Sequence, residues 1–182
     1  LGIPCAALGQ GTVYFSNYAP EASVDAPVFD GNGNKASNFN YLAQLLAGPD
    51  ASHLSLVGNA AIFSPSSPGY WMSGGDSSLT RTIDSVAPGG LAYLEVQVWS
   101  RVTGLTYDAV VAAGGVHGQS DIFTAVTGGD THGGTLPPDF PAYLKNLRSF
   151  NLTGVDPIPE PGVSALFLLG GGALLYARRR RS

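Results

Sequence analysis

The stretch Leu91-Ala92-Tyr93-Leu94-Glu95-Val96-Gln97-Val98-Trp99-Ser100 restricts the fold more than any other part of the chain. Leu94, Val96 and Val98 alternate with Glu95, Gln97 and Trp99, and a period of two sends successive side chains to opposite faces of a strand. The aliphatic face has to be buried against a second layer, while the other face meets solvent. Shorter runs of the same kind recur at residues 12–17, 41–47, 79–84, 106–113, 122–127 and 148–153. Between them stand turn signals such as Gly48-Pro49-Asp50, Pro88-Gly89-Gly90 and Gly128-Gly129-Asp130. Short strands at this spacing predict an all-β body, a single β-sandwich or jelly-roll-like domain rather than β-α-β units. Only residues 140–147 invite a short helical turn. With 25 glycines, 13 prolines and 12% charged residues, long solvent-exposed helices and coiled coils are excluded. A disordered chain is excluded as well, because 44% of the residues are hydrophobic.

The charges are unevenly placed. Arg178, Arg179, Arg180 and Arg181 are four of the nine basic residues, and setting them aside takes the formal charge from −4 to −8. A body so acidic repels phosphates, so no nucleic-acid partner is expected. Residues 162–177, immediately before the arginines, carry no charge. As a helix these residues would span about 24 Å, short of a hydrocarbon core roughly 30 Å thick but workable with snorkelling arginines and local thinning. Val163, Leu166, Phe167, Leu168, Leu169, Leu174 and Leu175 would face lipid, and the arginines would hold the C-terminal end in the cytoplasm. The body would then lie on the other side of the membrane. Ahead of the run stands Pro159-Glu160-Pro161, which the two prolines keep extended and accessible.

This order of tripeptide, apolar run and arginine cluster resembles the PEP-CTERM sorting signal of bacterial exported proteins, over about the last 25 residues. The resemblance implies export, brief anchoring in the inner membrane by the tail, and processing at or near the tripeptide by an exosortase. It also implies delivery to the cell surface or extracellular matrix, commonly alongside exopolysaccharide and biofilm material. Export machinery, an exosortase, the membrane and a polysaccharide are therefore the expected partners. The phrases Thr12-Val13-Tyr14-Phe15-Ser16-Asn17 and Val28-Phe29-Asp30-Gly31, with residues 44–50, resemble uncharacterised exported β-domains found with this tail. That second resemblance brings no activity with it.

At the other end, residues 1–9 read as the remnant of a signal peptide. Ala7 and Gly9 supply small residues three and one before a cut ahead of Gln10. The single cysteine, Cys5, would leave with that leader, and a cysteine-free remainder suits an oxidising compartment. The expected organisation is a leader remnant at 1–9, a β-sandwich ectodomain at 10–156, and a sorting signal at 157–182 with a Pro-rich linker and a transmembrane helix.

The body offers little recognisable chemistry. Asp30-Gly31-Asn32-Gly33-Asn34 opens like a calcium loop, but Lys35 and Tyr41 stand where an EF-hand needs glycine and a bidentate glutamate. A Gly/Asn turn is the expected reading. His117, Asp121, Asp130 and His132 flank one expected strand, whose length keeps the two pairs apart. Gly118-Gln119-Ser120-Asp121-Ile122 fails as a nucleophile elbow at its fifth place, and Asn151-Leu152-Thr153 matches a glycosylation sequon by pattern alone. Glu95 and the aspartates leave open a secreted carbohydrate-active hydrolase. No cofactor, metal site or catalytic residue is expected. Tyr70, Trp71, Tyr93 and Tyr107 are expected mostly in the core, whereas Trp99, sharing a face with Glu95 and Gln97, is the aromatic expected to stand partly exposed as a ligand face. The leading expectation is an exported structural or interaction module. A permanently tail-anchored envelope protein, with Pro159 to Pro161 only a linker, is a further alternative.

Overall fold

The computed structural model describes residues 10–73 and 78–156. Its elements run β1 (Gly11–Tyr14), β2 (Tyr18–Ala19), a 3-10 turn (Pro20–Ala22), β3 (Val24–Asp25), β4 (Tyr41–Gly48), β5 (Ser55–Phe63), β6 (Trp71–Met72), β7 (Thr80–Ile83), β8 (Leu91–Ser100), α1 (Tyr107–Ala112), β9 (His117–Gln119), β10 (Phe123–Val126) and β11 (Ala142–Tyr143). The larger sheet has the order β10-β8-β4-β5-β6, with β9 also paired to β8. A second sheet has the order β11-β1-β7, parallel between β1 and β11 and antiparallel between β1 and β7. The fold is all-β, as the alternation predicts.

Why the large sheet forms is plain from its centre. β4 pairs β8 without a break from Tyr41↔Ser100 to Gly48↔Tyr93. That register brings Ala43, Leu45 and Ala47 onto the same face as Leu94, Val96 and Val98, all fully buried. Val13, Phe15 and Ile83 from the β1 side join them in one cluster with Phe63, Trp71 and Leu144. Each such side chain contributes about 1.5–3 kcal/mol by leaving water. Asn17 locks the edge of this core: its Nδ2 donates to Ala26 O (2.9 Å) and Gly69 O (2.8 Å), and its Oδ1 accepts from Trp71 N at 3.2 Å.

The structure corrects several expectations. Residues 106–113 form not a strand but helix α1, because Thr106 caps it by accepting at Oγ1 from Ala109 N at 3.3 Å. Residues 140–147 hold the short strand β11 instead of a helical turn, since Val13 and Tyr14 offer it a partner. Residues 148–153 make only isolated bridges, Phe29↔Asn151 and His117↔Thr153. Strand β5, absent from the expected set, carries a bulge: Ala43 and Leu45 on β4 face Ala61 and Val57, four residues apart on β5. Gly58, at φ +68°, makes that detour, and a side chain there would run into Arg81. The residues expected to form a leader remnant, a Pro-rich linker and a transmembrane helix lie outside the described residues.

Candidate functional site

Trp99 does face away from the main core, but it is not an exposed ligand platform. It is only 3% exposed. Helix α1 lies over it, and Tyr107 and Val110 close a second, smaller cluster with Leu42 and Ala60 at its border. The Trp99 and Tyr107 rings meet edge to face at 6.5 Å. The expectation failed because the strand's outer face was assumed open, while the helix that covers it was read as another strand. Beside this cluster the outer face is polar: Gln44 Nε2 donates to Gln97 Oε1 at 2.7 Å, and Gln97 Nε2 to Glu95 Oε1 at 2.9 Å. Burial pushes the Tyr107 phenol up, with Glu95 and then Asp108 adding to it.

An open aromatic surface lies elsewhere, on a groove of about 570 Å³ beside β6, lined by Ser16, Tyr18, Lys35, Ser66, Tyr70 and Met72. Tyr18 is 52% exposed, and its ring stands 4.9 Å from that of Tyr70 at 51°. Tyr70 is fixed from both sides. Its hydroxyl donates to Asp25 Oδ1 at 2.7 Å and accepts from Lys35 Nζ at 3.2 Å, and the same ammonium lies 4.8 Å from its ring centroid. Loss of solvent raises the Tyr70 phenol above its ordinary value, helped by Asp25 and partly opposed by Lys35. Gly69, at φ +86°, lets the chain pass close against Pro27 and the stem of Lys35. Sequence reasoning missed Tyr18, which opens the two-residue strand β2; a strand that short gives no period to read.

The polar loops behave as turns. Asp30 Oδ1 accepts from Asn32 N and Asn34 N, each at 2.9 Å, inside its own loop. Asp130 Oδ1 does the same for His132 N and Gly134 N. His117 pairs with Trp99 at one end of β8, while Thr127, just ahead of Asp130, is tied to Gly90 at the other end. Those ends lie roughly 26 Å apart along the strand. Asp121 stands exposed in the loop after Ser120, and Ser120 Oγ is engaged with Asp121 O and Val96 N. Among the described residues no group of three His, Cys, Asp or Glu comes close enough to hold a metal ion.

The chain leaves the body through a clamp. Ser100 Oγ donates to Asp156 Oδ2 at 2.7 Å and Thr103 Oγ1 to Asp156 Oδ1 at 3.0 Å. Backbone bonds between His117 and Thr153 hold the approach to it. Pro159, Glu160 and Pro161, the apolar residues Val163 to Leu175 and Arg178 to Arg181 lie outside the described residues. The fold therefore defines an all-β body that ends, firmly held, one residue before the tail. Residues 157–181 match the family model of the PEP-CTERM protein-sorting motif. Comparison of the chain with curated proteins and with solved structures returns no match. The motif marks a protein exported and sorted toward the cell surface, with an exosortase as its processing partner.

Proposed function

We propose that this is a surface or matrix component: held for a time in the inner membrane by its C-terminal helix, cut at Pro159-Glu160-Pro161, and released as a non-enzymatic module that associates with exopolysaccharide. The observation that carries the reading is the sorting motif at residues 157–181, joined to an apolar run and four arginines in the order an anchor needs. Intact mass of the protein recovered from its own cells and medium tests it. Loss of everything beyond the tripeptide region is expected. A mass that keeps Arg178 to Ser182, found only in the membrane fraction, would make it a permanent tail anchor.

The groove at Tyr18 supports the polysaccharide part of the reading better than Trp99 does. An exposed ring beside a Lys/Asp pair and serine hydroxyls offers an apolar platform with polar groups at its rim, the combination a sugar ring with one apolar face requires. The body's formal charge argues for a neutral glycan over an acidic one. Tyr18→Ala should abolish retention on neutral polysaccharide while leaving the fold intact, since the side chain is half exposed. Unchanged retention would remove the groove from the account. Turnover of a glycan panel, lost on changing Glu95 or a single aspartate, would instead favour a hydrolase.

A further inference from the structure

We propose that, while the tail is uncut, the end of the body from which it leaves rests in the polar surface of the membrane through Phe39, Val102, Leu105, Val111 and Val155. This rests on the reading of residues 162–177 as a membrane segment. All five side chains are exposed, Leu105 to 84% and Val155 to 78%. They belong to one end of the molecule. Phe39 adjoins Asn40, whose carbonyl accepts from Arg101 N at 2.9 Å, directly before Val102. Val102 and Thr103 flank the Asp156 clamp, because Ser100 and Thr103 are its two donors. Leu105 precedes the α1 cap, Val111 lies within α1, and Val155 N donates to Gly114 O at 3.4 Å while Gly114 N donates to Val111 O at 3.0 Å.

Exposed apolar residues also stand at the far end of β8, among them Leu91, Val126 and Phe140. The tail is what distinguishes the exit end. Only the five residues from 157 to 161 separate Asp156 from the uncharged run, and a chain of that length reaches at most about 20 Å. The headgroup layer takes up roughly 5–7 Å of that distance. The clamp allows no further slack from the body, so this end must face the bilayer at close range. The occupant fits lipid better than a protein. Four of the five residues are aliphatic, standing on turns and a short helix, whereas protein docking favours aromatic and arginine anchors in shaped sites.

The test uses the full chain with Cys5→Ser, reconstituted in vesicles of phosphatidylethanolamine and phosphatidylglycerol. Leu105→Cys, Phe140→Cys and Leu168→Cys are each labelled with a fluorophore and exposed to aqueous iodide. Quenching at 105 is expected to be about threefold weaker than at 140, with 168 fully protected. If 105 is quenched as strongly as 140 while 168 stays protected, the surface contact is overturned and the anchor stands. If 168 is quenched like 140, the anchor reading falls and takes the contact with it. Protection at 105 that requires an added exosortase would overturn the lipid contact in favour of a protein one.

Discussion

Trp71 and Trp99 are buried to nearly the same degree, 4% and 3% exposed, yet they sit in regions held together very differently. Trp71 belongs to the main core, its ring 4.9 Å from Phe15 and 5.9 Å from Phe63. Its Nε1 donates to Phe15 O at 2.9 Å and its backbone N is held by Asn17. Trp99 lies between one sheet face and a six-residue helix, and among the described residues its Nε1 has no hydrogen-bond partner. Burial alone therefore does not rank the two. The main core is fastened by polar bonds through its apolar layer, and the cluster under α1 depends on apolar contact and one cap.

Five substitutions break or sharpen that contrast. Asn17→Leu should cost most, about 3–5 kcal/mol, because it strands Ala26 O and Trp71 N and takes one of two donors from Gly69 O; urea midpoints at constant slope would measure it. Next, Trp71→Phe is expected to cost about 2–3 kcal/mol and Trp99→Phe less than about 1.5, since only the first leaves a buried carbonyl unpaired. Equal losses would refute the contrast. Thr106→Ala should remove about 1 kcal/mol and change the near-ultraviolet signal of Trp99 before that of the main core. The smallest effect is at Tyr70. Its phenol is raised in the folded protein above 10, so its contribution to stability is whole below that pH and fades as the pH climbs through the folded value. Spectrophotometric titration in alkali should lose one late-titrating phenol in Tyr70→Phe.

The same contrast explains what could be read in the chain beforehand. The main sheet was legible where burial repeats every second residue, from Leu91 to Val98 and along residues 41–47. It was illegible at β5, where the bulge at Gly58-Asn59-Ala60 breaks the period and looks like a turn. α1 was misread because Val110 and Val111 favour strands on propensity, while the Thr106 cap, which did carry the signal, is a single residue. That one error also misplaced Trp99, since a side chain's exposure depends on what covers its face. The groove at Tyr18 is built from four separate segments meeting at Asp25, Lys35 and Tyr70, and no local pattern announces such a meeting. The sorting tail was legible because its parts are recognised by their order and charge along the chain.

The Asp156 clamp also decides how the body bears a pull. A tethered protein in moving fluid is loaded through its tail, and here that load enters next to Ser100, the last residue of β8. β8 is bonded along one side to β4 and on the other to β10 and β9. Force directed out of that end runs first along residues 150–156, whose bonds to Phe29, His117 and Gly114 and the two Asp156 contacts must give before β8 itself is loaded. It does not unzip the sheet from the two-residue edge strand β6, where bonds would fail one after another. The chain thus leaves the body beside the centre of its larger sheet and not at that sheet's edge.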